Sequence, residues 1–282
     1  MDIYLADEKA FYYIPQVSLE VAHDRLEQKK AGLVAGTVGA LLSRPRPEEI
    51  QVVSTESRLE PFWLVSAFAR TVYDRNRTFV VPVTGQEVKQ VTILGQQLLV
   101  AAGAKASASF SLEAIEHCVE EGRLSYTFDS ISGQKADFTR YLNFAKTEIN
   151  DLDNFAPENT LVVPPQARAS AVVRPLLTEL IKPVVAQVIH EERLNIEAIE
   201  LNFRPIYAFE YNWAAKGKRV IVEFDALTGD AHSGGKKLEN QIKKMVTRDF
   251  IFDVTADAAG MLIPGGSIAV KLFKAVVDRN KG

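Results

Sequence analysis

Four segments of this 282-residue chain hold residue types that can do chemistry, and spacing decides what each is worth. His190-Glu191-Glu192-Arg193-Leu194 begins like a zinc-protease helix, but Leu194 stands where the second histidine must be. Glu113 and His117 lie four apart, with Glu116 and Glu120 nearby and Cys118 next to His117. On a helix such a set reads as a solvated face. Helix neighbours diverge by about 100°, so His117 and Cys118 form no nucleophile–base pair. Asp225, Asp230 and His232 crowd one turn without the further segments that a metal centre needs. Gly229-Asp230-Ala231-His232-Ser233-Gly234-Gly235-Lys236-Lys237 follows a strand, yet it is one residue too long for a phosphate loop and lacks the hydroxyl after the lysine. Pro264-Gly265-Gly266-Ser267 could offer N–H groups to an anion at a helix start, but alone it reads as a turn. No catalytic residue, cofactor site or metal site is assigned.

Composition narrows the class. Thirty-six acids against 33 bases, mixed along the chain, leave a net charge of −3 and no field for nucleic acid. The hydrophobic share of 47% and a mean hydropathy near zero describe a soluble globular chain. Cys118 is the only cysteine, which excludes a disulfide framework and a cysteine zinc site. Met1 to Lys9 has neither the basic nor the apolar region of a secretory signal. The uncharged run Ala31 to Ser43 is well short of the roughly 20 residues of a bilayer span. The expectation is a cytoplasmic protein for which a membrane role is unlikely on composition.

The elements that must position any site repeat. Pro61-Phe62-Trp63 opens an alternating segment that ends at Thr84-Gly85, and Pro205-Ile206-Tyr207 opens another that ends at Thr228-Gly229. Proline to threonine spans 23 residues in both, and the offset between the copies is 144. A common register of this kind predicts a duplicated supersecondary unit with a hairpin in each copy. Upstream, Tyr13-Ile14-Pro15-Gln16 matches Val162-Val163-Pro164-Pro165-Gln166. Asp129-Ser130-Ile131-Ser132-Gly133 also echoes Asp225-Ala226-Leu227-Thr228-Gly229, as a third strand ending.

Around these, Ser18 caps a helix, and Gly32, Gly36 and Ala40 make one small face of its continuation. A second helix is expected from Ala169 to Glu192, bent by Pro175 and Pro183. It should cover Tyr207, Phe209 and Tyr211, with Trp213 partly exposed. Further helices are expected from Ser111 to Glu121, from Tyr141 to Ile149 and after Ser267, and a strand from Val88 to Val100.

Val220-Ile221-Val222-Glu223-Phe224-Asp225-Ala226-Leu227-Thr228-Gly229 resembles the strand ending of PepSY domains, in which a helix packs on a β-meander closed by an Asp-Ala-x-Thr-Gly turn. The first copy has Val81 in place of the aspartate. The resemblance implies a local fold and no activity. In residue terms, Asp225 and Thr228 suit a turn bonded to its own backbone, with Gly229 free to take positive φ.

The fold expected is α+β, with two similar lobes, each a helix on an antiparallel β-meander (PepSY- or cystatin-like), plus a C-terminal helix. The divisions are 1–104, a connecting region 105–154, a second repeat 155–250 and a tail 251–282. The function expected is a non-enzymatic interaction or scaffold module that binds a protein partner or itself. Its candidate surface is Gly32, Gly36, Ala40, Trp63, Trp213, Ile268, Leu272 and Phe273. The alternatives are an enzyme or ligand-binding protein with its site between the lobes, and a peripheral membrane protein.

Overall fold

The computed structural model describes residues 1–43, 46–101, 108–235, 247–253 and 271–274. Two short strands, β1 (Asp2–Leu5) and β2 (Glu8–Tyr13), precede helix α1 (Leu19–Ser43). Strand β3 (Ile50–Pro82) follows, then a small hairpin of β4 (Gln90–Ile93) and β5 (Gln96–Leu99), then the return strand β6 (Ser109–Asp129). Strands β7 (Lys146–Glu148) and β8 (Thr160–Val162) lead to helix α2 (Ala169–Leu180). Next come β9 (Val188–Trp213), β10 (Lys218–Asp225) and β11 (Ala231–Ser233). Helix α3 (Arg248–Phe252) and strand β12 (Lys271–Lys274) complete the described chain.

Ten of these strands form one mixed sheet, and β4 and β5 pair apart from it. This overturns the expected pair of separate helix-on-meander lobes, because strands from both halves share a single ladder. The spine is β3 against β9, antiparallel from Ile50↔Trp213 to Asp74↔Val188 with three bulges. Such bulges increase twist and let strands of this length coil. Past Asp74, β3 pairs only with β6 among the described residues and ends at Pro82↔Ser109.

Each proline sits where a spine strand changes neighbours. On β3 the flanking strand β8 stops at Leu59 and β6 begins at Phe62, so Pro61 lies between them. On β9, β2 stops at Phe203 and β10 begins at Ile206, so Pro205 lies in the equivalent gap. A proline has no N–H to give a ladder, and here no ladder asks for one. Its carbonyl faces the same flank and is used: Ser130 Oγ donates to Pro61 O at 2.7 Å, and Ala226 N donates to Pro205 O at 3.1 Å.

The first hairpin is therefore β3–β6, not a hairpin inside Pro61–Gly85. The polar stretch before Thr78, where the turn of that hairpin would have to lie, runs straight through β3. The counterpart of Asp225–Gly229 is Asp129–Gly133, not Thr84-Gly85. Gly133 N donates to Asp129 O at 2.9 Å and Gly229 N to Asp225 O at 2.8 Å. Both glycines have positive φ, 69° and 79°, which explains the residue type.

The helices cross over. Gln16 N and Val17 N donate to Ala226 O, in the turn of the second hairpin, whereas Gln166 N and Ala167 N donate to Ser130 O, in the turn of the first. Helix α1 packs Ala22, Leu26 and Val34 on Phe209, Tyr211, Trp213 and Phe224. Helix α2 packs Val172, Val173, Leu176 and Leu177 among Trp63, Val65, Ala67, Phe128 and the start of β9. The aromatic row of β9 is thus buried as expected, but by α1 rather than α2. Full burial of each ring stabilises by about 1.5–3 kcal/mol.

Several local expectations fail for tertiary reasons. Ser111 to Glu121 is strand, because alternation along β6 gives Glu116 to Arg75 and Arg77, and Glu121 to Arg70, across the ladder. Helix α2 stops at Leu180, short of Pro183, and residues from Val188 onward join the spine. Tyr141 to Ile149 is a single 3₁₀ turn and strand β7 rather than a helix. Val88 to Val100 folds back on itself as the β4–β5 hairpin, with Leu94 and Gly95 at positive φ in its turn. The tail expected as a helix contains β12, which lies parallel to β1 through Ile3↔Leu272 and Tyr4↔Phe273.

Candidate functional site

The site forms where the spine changes neighbours. Glu60 and Arg204 are direct cross-strand partners, flanked by Leu59↔Pro205 and Pro61↔Phe203. A two-fold axis through this pair exchanges the two prolines, so the 144-residue offset of the sequence echo maps Glu60 onto Arg204.

Buried charge is organised around that point. Arg204 Nη2 lies 3.0 Å from Glu60 Oε2, and Nη1 lies 3.5 Å from Asp225 Oδ2 and 2.8 Å from the Tyr141 hydroxyl, to which it donates. Tyr141 in turn donates to Asp225, and Arg140 donates to the Tyr141 hydroxyl at 2.6 Å and to Asp230 at 2.8 Å. Two residues before Glu60 on β3, Arg58 is 3% exposed. It pairs with Glu56, with Glu223 Oε1 at 3.2 Å and, more loosely, with Glu60 Oε1 at 4.0 Å. His232 on β11 reaches the other Glu223 oxygen at 3.1 Å. Asp225 also does the work of its turn, since Oδ1 accepts from Leu227 N at 2.9 Å and Thr228 N at 3.1 Å.

Burial sets the electrostatics. It pushes the Glu60 carboxyl above the ordinary range, and Glu223 adds to that push, while Arg204 and Arg58 oppose it without cancelling it. Burial also raises the Tyr141 hydroxyl. For Arg204 burial disfavours the charge, but Glu60, Tyr141 and Asp225 outweigh it and hold the guanidinium above its ordinary value. Over these groups opens a cavity of about 360 Å³, whose polar wall is Arg58, Glu60, Asp129, Arg204 and Glu223. Its apolar wall includes Pro61, Ile131, Phe138, Val163 and Pro164, and Gln166 lines it too. Gly234 and Gly235 line one side, and a Cβ on Gly235 would collide with the Glu223 carboxylate.

The residues singled out from sequence go elsewhere. Trp63 and Trp213 are 0% and 4% exposed, so neither is an interaction surface, and Trp213 is not partly exposed as expected. A Cβ at Gly32 or Gly36 would meet nothing within 4 Å, and Gly36 breaks α1 with φ 73°, so the small-residue face is not one continuous helical stripe. Ala40 lies on α1 and Leu272 and Phe273 on β12, with side chains outside the described residues. Ile268, Lys236, Lys237 and the segment Pro264–Ser267 lie outside the described residues. His117 and Cys118 point to opposite faces of β6, as strand neighbours must. His117 Nδ1 and His190 Nε2 instead bracket Asp74, at 2.6 and 2.8 Å from its two oxygens. Among the described residues no group of three His, Cys, Asp or Glu is placed to hold a metal ion, and no helix is long and apolar enough to cross a membrane.

Sequence reasoning missed Arg58, Glu60, Tyr141, Arg204 and Glu223. One signal was present, because Glu60 and Arg204 are the opposite charges that immediately precede the two echoed prolines. Comparison with protein-family models, with curated proteins and with solved structures finds no match.

Proposed function

We propose that this is a small-molecule-binding protein whose site is the cavity at the Glu60–Arg204 crossing. The observation that carries the reading is the meeting of a concave, partly apolar cavity with two ion-paired arginines, Arg58 buried and Arg204 half-buried, and a carboxyl perturbed by burial. Buried charges are costly, and ligand sites are where such groups gather with apolar walls. Among the described residues the cavity lining holds ion pairs and apolar side chains, which supports binding as the reading. The Asp-x-x-Ser/Thr-Gly turns that close both hairpins support a PepSY-like origin for the framework, which carries no activity with it.

The test is an NMR titration of the full chain with 2-phenylethylammonium, 2-phenylethanol and 3-phenylpropanoate as probes. Shifts confined to Ile131, Phe138, Gln166 and Gly234, and lost in Phe138→Ala, are expected for at least one probe. Three titrations without a shift at those residues would sink the reading.

A second reading, a protein-interaction module that binds a partner or itself, is favoured by one specific feature. The β3–β6 ribbon beyond Asp74 leaves Phe79, Val80 and Ile115 at 41%, 66% and 60% exposure. A two-stranded ribbon is marginally stable alone, and a partner strand would cover it. Size-exclusion chromatography with light scattering tests this, and a monomer at every concentration would remove the self-association form of it.

A further inference from the structure

We propose that two copies of this chain join through β6, each antiparallel to the other about a two-fold axis at Val119, so that the ribbon of one copy lies along the body of the other. The proposal rests on the self-association form of the second reading above.

One edge of β6 is filled by β3 from Ser109 to Asp129. On the other edge, Ser109 and Ala101 exchange backbone bonds at 2.8 and 3.1 Å, and Ala136 N donates to Thr127 O at 3.0 Å. Between those two points, over residues 110–126, β6 pairs with no strand but β3 among the described residues. Its counterpart in the second hairpin, β10, ends at Lys218 and carries β11 along its outer edge through Val222↔Ser233 to Phe224↔Ala231. Residues 110–126 contain no proline, and the ladder with β3 runs without a bulge, so two of the devices that keep an edge from pairing are missing. Ile115 and Val119 stand 60% and 56% exposed along this stretch. A long edge of that kind is a template for a further strand.

The strand that fits is a second β6, because the charges on this edge choose one register. Opposed residues of an antiparallel pair share a face, so a two-fold axis between identical strands must fall on a residue. Cys118 is the midpoint of the open stretch, but an axis there sets Glu116 against Glu120 on both sides. An axis at His117 opposes Glu113 to Glu121, and one at Glu120 opposes that residue to itself. At Val119 no like charges meet: Glu113 faces Ser125, Glu116 faces Gly122, His117 faces Glu121 and Arg123 faces Ile115. Leu112 then meets Tyr126, Ala114 meets Leu124, and the two Val119 side chains meet at the axis. Every other axis clear of like pairs uses a shorter part of the open stretch. The charged residues keep the partners of their own chain, Glu116 with Arg75, Glu121 with Arg70 and Arg123 with Glu197, so pairing asks only that nothing repel. The register also supports the ribbon. Residues 112–116, where β3 has already left β9, come to lie against residues 122–126 of the other copy, where β6, β3 and β9 are side by side.

Light scattering on the full chain is expected to report a dimer. Val119→Lys opposes two ammoniums at the axis and should raise the dissociation constant at least about tenfold, with thermal melts reporting that the variant folds. Two cysteine variants read the register directly, each in a Cys118→Ser background and oxidised by copper phenanthroline in air. Val119→Cys should link the two copies by a disulfide, because its sulfurs face each other. Ile115→Cys should not, because those residues stand about 26 Å apart along the paired strands. A dimer that Val119→Lys leaves intact, that Val119→Cys fails to link, or that Ile115→Cys links would overturn the β6 pairing and leave self-association standing. A monomer at every concentration would overturn both.

Discussion

Glu60 and Arg204 meet at 3.0 Å across the two spine strands, at the one position that the two-fold relation of those strands maps onto itself. A self-matching position cannot hold two like charges in register. Opposite charges on the two copies are the arrangement that satisfies it, and each side chain then extends to a further buried partner, Arg58 for Glu60 and Asp225 for Arg204.

Arg204→Met is expected to cost roughly 3 kcal/mol in denaturant melts, because it strands Glu60 and Asp225 without their shared cation. A loss below about 1 kcal/mol would mean that water already solvates the network.

Glu60 gives a pH signature with a definite sign. Its folded-state value is raised from the ordinary 4.5, so the protonated carboxyl favours the native state. That contribution is fully present below pH 4.5 and lost as pH rises through the folded value. Relative to Glu60→Gln, the natural protein should therefore lose stability with rising pH across that window. A difference that grows with pH would contradict the burial of the carboxyl.

Asp74 should behave in the opposite sense. Its bonds to His190 and His117 hold the carboxyl below the ordinary range, so its contribution is present above about pH 3.8 and lost as pH falls through the folded value. Carbon-detected NMR titration should find Asp74 titrating below ordinary aspartates, and Asp74→Asn should flatten the acid limb of the stability curve.

The crossing of the helices is testable by coupling. Phe209→Ala should cost about 3–5 kcal/mol. A double-mutant cycle with Leu26→Ala on α1 should couple by at least about 0.5 kcal/mol, whereas a cycle with Leu176→Ala on α2 should be additive. The reverse pattern would return α2 to the aromatic row.

Trp63 and Trp213 are the only tryptophans, and both are buried. Native fluorescence should be blue-shifted and resistant to acrylamide, becoming accessible only on unfolding. Quenching close to that of free indole would expose the surface that was expected at these residues.

Several features were legible in the residues. The prolines, the aromatic alternation from Tyr207 to Trp213, the Asp-x-x-Ser/Thr-Gly endings and the capping serine at Ser18 all encode local geometry that a strand, turn or helix start realises wherever it sits. The 144-residue offset is such a feature too. What followed from it depended on partners that are distant in the chain. Leu112, Ile115 and Val119 suit a helix by spacing, and the ladder with β3, which sets Glu113, Glu116, Glu120 and Glu121 against Thr78, Arg75, Tyr73 and Arg70, makes β6 a strand. The offset could not say whether each helix covers its own hairpin or the other one, because both coverings bury the same apolar faces. The choice is made by backbone bonds from Gln16 and Gln166 to turns more than 200 residues ahead of one and some 36 behind the other. The candidate site is decided at that level as well: Glu60, Arg204 and Glu223 are ordinary surface types in sequence, and they become a half-buried cluster around the buried Arg58 and Asp225 only when two strands from opposite halves pair in this register.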